Sequence, residues 1–416
     1  MNPYISRVID SELQLRMSAM GAVLMEGPKA VGKTRSASEV SKSILRLDID
    51  RAVRAALDIH PDQVFTYPTP ILFDEWQESP EIWDLVRHKV DDSSQKGLYL
   101  LAGSARPRDN ARVHSGAGRI GRVRMRPMSL FETGHSTGEV SLQLLLQGEP
   151  ANARPSMLTI PDLLNRIVVG GWPDLFEAGE AEARIWLHDY LQNVYEVDLP
   201  DMGIRRNPHG LQRLFTSLAR TSGAPINKSR LRSDTGGDEP IAMETLNNYL
   251  ESLDRLMLTE ELPAWAPHMR SRTRLRTKPI IGFTDPSLAL AALGGGVNDL
   301  LKDLESAGIQ FENMVLRDLR VYAQALGARL SYWRDSQTGA EVDVILELPD
   351  GQWAAFEINL GESAVEQAAR ALLNFSSKVD TERHGEAISL TVITGGRFSY
   401  RRDDGVNVVS VACLGP

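Results

Sequence analysis

The chain has 416 residues, 42% of them apolar and 24% charged, with a net charge of −9 and one cysteine, Cys413. That length exceeds what a single core organises, so two to four domains are expected, and the composition excludes a disordered or low-complexity protein. The lone cysteine excludes an intrachain disulfide, and the acidic balance excludes indiscriminate coating of nucleic acid while leaving room for a local basic patch. No apolar run reaches bilayer length, and the first residues lack the apolar core of a signal peptide. A cytoplasmic protein with no membrane association is expected.

In chain order, the first feature is the apolar run 22–26, which reads as a buried parallel strand. Gly27-Pro28-Lys29-Ala30-Val31-Gly32-Lys33-Thr34 follows it and fits G-x-x-x-x-G-K-[ST], and residues 35–40 can continue as a helix. Strand, glycine loop and helix together form a phosphate cradle. Gly27 and Gly32 let the backbone wrap a polyphosphate, its N–H groups point inward, and the helix N-terminus adds partial positive charge. Lys33 is expected on the β- and γ-phosphates and Thr34 on Mg²⁺. The ligand expected is ATP with Mg²⁺.

Such a loop needs a carboxylate for the metal. The apolar run 70–73 ends in Asp74-Glu75. Asp74 is the expected Mg²⁺ partner of Thr34, and Glu75 the base that polarises an attacking water, which argues for hydrolysis over transfer to a hydroxyl. A further apolar run, 98–102, ends in Gly103-Ser104, and the Ser104 hydroxyl is a candidate to bond the water or the γ-phosphate. Among the arginines that follow, Arg119 is the candidate arginine finger.

Strands at 22–26, 44–49, 71–73 and 98–102 alternate with helical stretches, the signature of a parallel sheet with helices on both faces. Pro150 to Pro155 marks a boundary, and 158–205 reads as helical. Helices at 211–221, 227–233 and 241–253, then a hairpin ending near 283, predict a winged helix-turn-helix. Arg270, Arg272, Arg274, Arg276 and Lys278 fall on every second residue. On an extended wing all five face one way, fit to lie along a DNA backbone. The alternative is a solvated hairpin edge. Against DNA, the exposed face of the third helix carries Glu244, Asn247, Asn248, Glu251 and Asp254, so a protein-docking module is the competing reading. Gly294-Gly295-Gly296 reads as a linker to a last α/β sandwich. That sandwich has a helix at 309–326, strands at 330–333, 341–348, 353–358, 389–394 and 406–411, and a helix at 363–375.

These motifs resemble one prokaryotic family over nearly the whole chain: AAA-type ATPases related to the signal-transducing branch, followed by a C-terminal domain of unknown function with a nuclease-like fold. The resemblance is carried by the phosphate loop, Leu72-Phe73-Asp74-Glu75, Gly103-Ser104-Ala105 and Gly118-Arg119-Ile120. Pro127-Met128-Ser129-Leu130-Phe131-Glu132, Gly170-Gly171-Trp172-Pro173 and the helix at 190–199 extend it. It implies an α/β architecture in four parts: a P-loop ATPase at 1–150, a helical connector at 151–207, a winged helix at 208–290 and a nuclease-like domain at 291–416. It also implies a homo-oligomer, since AAA-type sites take an arginine from a neighbouring subunit. Nucleases of the PD-(D/E)xK class set a Glu on a helix, an Asp on one strand and Asp/Glu-x-Lys on the next. Here the layout resembles Glu312, Asp343 and Glu357-Ile358-Asn359, with Asp343 and Glu357 as residual metal ligands or plain surface acids. Asn359 stands where the class has lysine, and a neutral amide cannot stabilise developing negative charge. Three functions follow as expectations: an ATP-driven switch for the C-terminal half, a non-catalytic ATP-sensing DNA-binding regulator, or an ATP-gated nuclease.

Overall fold

The computed structural model describes residues 3–103, 115–201, 208–265, 277–335 and 337–416. It divides into two compact units, Met1–Arg126 with Leu253–Met257, and Pro127–Ser252 with Leu258–Pro416.

The first unit is built on five parallel strands: β1 Ala22–Glu26, β2 Ser43–Arg46, β3 Ile71–Asp74, β4 Tyr99–Gly103 and β5 Ile120–Arg124, in the order β2-β3-β4-β1-β5. Every residue of β1, β3 and β4 is buried, as continuous apolar runs covered on both faces require. One face packs Leu24, Phe73, Trp76 and Trp83; the other packs Val23, Met25, Leu72 and Val123 against Ile9 and Leu13 of helix α1, Ile9–Ala19. β1 lies centrally, so its C-terminal end opens between β4 and β5, where the phosphate loop begins. Two elements differ from expectation. β2 stops at Arg46 because Asp50 accepts from Ala52 N and Val53 N and starts the next helix. β5 is a strand in a stretch from which only the arginines were singled out, with Ile120, Gly121 and Val123 buried and Arg122 exposed.

The second unit begins at Pro127, earlier than the boundary expected near 150. Residues 127–141 are held within it: Leu130 N donates to Asp318 Oδ2 at 3.0 Å, and Val140–Ser141 pairs with Leu414–Gly415. Helices Ile160–Val169 and Glu180–Asn193 come next. Helices Pro208–Arg220, Lys228–Gly236 and Met243–Arg255 then precede an antiparallel pair, Thr259–Leu262 with Ile280–Phe283. Gly294–Gly296 is no loose linker. Gly294, with φ 72°, caps helix Pro286–Leu293, and a Cβ on Gly296 would strike Glu180 Oε1. After the long helix Leu304–Ala325 comes a six-stranded mixed sheet. Its order is Tyr400–Arg401, Asn407–Ser410, Ser389–Thr394, Trp353–Asn359, Glu341–Glu347, Arg329–Arg334, and helix Val365–Ser376 packs on it.

At the centre of this unit is a fully buried ion network. Arg317 bonds Asp285 at 2.9 Å and Asp318 at 2.7 Å, and Asp285 also accepts from Gly171 N at 3.0 Å. Trp172 Nε1 donates to Ser287 Oγ at 3.0 Å. The Gly170-Gly171-Trp172-Pro173 stretch is therefore a packing device. Gly171 has no room for a Cβ beside the Met128 backbone, and Gly170, with φ 78°, has none beside Ser287 and Asp285.

Candidate nucleotide site

The residues between β1 and helix α2, Lys33–Glu39, form a loop whose shape comes from two left-handed residues, Ala30 with φ 61° and Gly32 with φ 98°. Alternating the backbone handedness about Val31 turns successive N–H groups to one side, the concavity that binds anions. Gly27 is required by close approach, because a Cβ there would overlap the Met125 carbonyl oxygen of the chain leaving β5. Arg7, which sequence reasoning missed, is buried beneath the loop and donates to Val31 O at 3.1 Å and Arg126 O at 2.7 Å. It fixes the Val31 carbonyl away from the cradle.

Lys33 is 6% exposed, and its Nζ donates to Gly27 O at 2.9 Å and Pro28 O at 2.7 Å. Burial lowers its pKa to about 8, opposed by the nearby Glu75 and Asp74 carboxylates. Thr34 Oγ1 donates to Asp74 Oδ1 at 2.8 Å, so the two expected metal-side groups, one from each half of the motif, meet across the sheet edge. The Asp74 carboxyl is raised, first by burial and then by Glu75 and Asp48, while Thr34 and Arg46 oppose the rise. A hydroxyl beside a carboxylate is the oxygen set a small hard cation takes, and the loop above it suits phosphate, so the residues fit Mg²⁺ and a triphosphate. Glu75 follows directly in a left-handed conformation (φ 51°, ψ 47°) and accepts a hydrogen bond from Gln77 Nε2.

One expected residue does not join this site. Arg119 precedes Ile120, whose partner in the register is Ala22, the first residue of β1. It therefore lies at the sheet edge opposite the loop, about 16 Å away along the five-residue strand, where Nε bonds Asp91 at 2.6 Å. It does not reach the phosphates of its own chain. Ser104 lies outside the described residues, as do Arg270, Arg272, Arg274 and Arg276; Lys278 is described, its carbonyl accepting from Tyr332 Oη.

In the second unit Glu312, Asp343 and Glu357 do come together. All three carboxyls are raised, each foremost by burial; Asp343 and Glu341 add to the rise at Glu312, Glu341 to that at Asp343, and Asp343, Glu341 and Glu312 to that at Glu357. Asp343 Oδ2 is taken by Ile358 N at 2.8 Å, the Asp343 and Glu357 side chains share a hydrogen bond, and Glu357 Oε1 is buried with no hydrogen-bond partner. Among the described residues no three His, Cys, Asp or Glu side chains are grouped to hold a metal ion. The carboxyls of Asp343 and Glu357 therefore each hold a proton more strongly than a free carboxyl does.

The geometry is that of a P-loop nucleotide-binding domain, and one family model agrees with it. Residues 20–134 match the family model described as AAA domain, residues 160–299 a domain of unknown function (DUF8612), and residues 307–414 a domain of unknown function (DUF4143). Over 356 residues the chain is 26% identical to the uncharacterized protein Rv2008c of Mycobacterium tuberculosis and to the uncharacterized protein Mb2031c of Mycobacterium bovis, covering 84% of this chain and 73% of each relative. A Walker-type ATPase of Pyrococcus abyssi aligns in structure with 14% identity and a TM-score of 0.43, over 70% of this chain and 96% of that one. The first unit is an AAA-type P-loop domain, the second carries the DUF4143 domain, and no helix among the described residues is long and apolar enough to cross a membrane.

Proposed function

We propose that the protein binds ATP with Mg²⁺ in the Gly27–Thr34 cradle and hydrolyses it, using the cycle to switch the arrangement of its C-terminal half. The carrying observation is the Thr34–Asp74 pair beside a buried Lys33, which joins phosphate and metal chemistry in one place. Thr34 and Asp74 would hold the magnesium, which supplies charge neutralisation for the phosphates. Lys33 leaves the Gly27 and Pro28 carbonyls for the β- and γ-oxygens, and Glu75 takes the proton of the attacking water. Glu75→Gln is expected to keep nucleotide affinity within about twofold and to lower turnover by about 100-fold or more, the usual range for losing a general base. Wild-type turnover in that variant would remove Glu75 from the reaction.

One observation favours a second reading, an ATP sensor that does not hydrolyse alone: Arg119 sits on the far sheet edge of its own chain. The two readings merge if a neighbouring copy supplies an arginine.

For the C-terminal half we read a winged helix followed by a nuclease-like domain kept for docking. The antiparallel pair after three helices supports the first. Asn359 in the lysine position weighs against cleavage. Glu244, Asn247, Asn248, Glu251 and Asp254 are all exposed on the third helix, so a protein partner fits that face better than DNA phosphate. Incubation with Mg²⁺ or Mn²⁺ and several DNA forms should leave the DNA intact; cleavage lost in Asp343→Asn would overturn the docking reading.

A further inference from the structure

Glu75 turns the chain through its left-handed conformation into a single 3-10 turn, Trp76–Glu78, which carries Gln77 back over the carboxylate. Gln77 Nε2 donates to Glu75 Oε2. At the other end of the amide, Gln77 Oε1 is buried and has no hydrogen-bond donor among the described residues. It lies against the end of β4, where any side chain on Gly103 would collide with it and with the Trp76 ring. The amide cannot be reversed, since Oε1 would then face a carboxylate oxygen, acceptor against acceptor. Among the described residues the amide thus spends its N–H₂ on Glu75 while its oxygen meets no donor.

We propose that Gln77 is the positioning residue for the water-activating carboxylate. By donating to Oε2 it holds Glu75 in one orientation and leaves Oε1 to receive the proton of water. This rests on the reading of Glu75 as the base, given above. A Gln77 that merely tied the turn together would affect folding and leave the chemical step alone.

Two variants separate these roles. Gln77→Leu keeps the volume and removes the donor. Gln77→Glu replaces the donor with a second carboxylate, and a facing pair of carboxylates holds a proton to higher pH. With thermal melts to confirm folding, kcat and KM for ATP are measured across pH. The expected result for Gln77→Leu is a kcat lower by about 10- to 100-fold, the scale of a misplaced group, with KM for ATP within about twofold. For Gln77→Glu the acid limb of the kcat profile should move about one unit higher in pH, the size of a neighbouring like charge. If Gln77→Leu fails to fold, the profile of Gln77→Glu decides alone. Folded variants with wild-type kcat and profile overturn the proposal while leaving the ATPase reading standing. A wild-type protein that binds ATP and never hydrolyses it overturns both.

Discussion

Lys33 carries its charge at a cost that a bound triphosphate would offset. In the free protein burial brings its pKa down to about 8, so above that pH the amine is increasingly neutral. A phosphate ligand favours the ammonium, so binding near pH 8.5 should take up protons, and ATP affinity should weaken as pH rises from 8 toward 10. Calorimetry in two buffers of different ionisation heat reads this directly; proton release, or a flat affinity, would contradict it. Arg7 predicts a second effect. Arg7→Ala removes two hydrogen bonds from a charged donor, and nucleotide binding should weaken by about 10-fold or more, with Arg7→Lys restoring part of it. At this scale the cradle was legible because its residues are contiguous and each has a local backbone reason. Arg7 and Gln77 were not, since their roles come from which carbonyl or carboxylate the fold brings to them.

Among the elements, β1, β3 and β4 were readable because fully buried parallel strands are unbroken apolar runs. β5 was not, because Arg122 and Arg124 interrupt the run on an edge strand with one solvated face. That same strand decides the fate of Arg119: knowing its register with β1 removes this arginine from its own chain's site. The acid cluster on the Leu304–Ala325 helix and the Glu341–Glu347 and Trp353–Asn359 strands was legible as a grouping, whereas the bonds its oxygens make were not. Spacing along strands shows which face a residue takes, and says nothing of the hydrogen bonds that occupy its oxygens. Each of these carboxyls has a folded value above its unfolded one, so the folded protein favours the proton. The associated stability is complete below the unfolded range near about pH 4 and is lost as pH climbs through the raised folded values. Glu357→Gln, a neutral isostere, should therefore raise Tm at pH 8 and flatten the pH dependence. A variant less stable than wild type at pH 8 would show that Glu357 is held ionised.

The whole molecule comprises two compact units, and within the larger one Arg317 forms a buried ion network with Asp285 and Asp318. The sequence placed a boundary at Pro150–Pro155, where proline marks a turn. The compact division falls at Arg126 instead, because Leu130 and the Val140–Ser141 strand belong to the later core. Long-range pairings of that kind leave no local signal. Asp285→Ala would leave the buried Arg317 guanidinium with Asp318 alone and the Gly171 N–H without its acceptor, so it should cost about 3–5 kcal/mol, read as a lower denaturation midpoint; a loss under about 1 kcal/mol would mean the network is dispensable. If a neighbouring copy completes the ATP site, specific activity should rise with protein concentration, whereas concentration-independent turnover would show that one chain suffices. The central claim, that the N-terminal cradle grips a triphosphate, is tested most directly by titrating ATP and Mg²⁺ into the wild-type protein and Lys33→Ala under identical conditions. Saturable binding that falls by about 100-fold or more in the variant is predicted, given the two or more charge-assisted bonds lost. Equal binding by both proteins, or none by the wild type, would contradict the account.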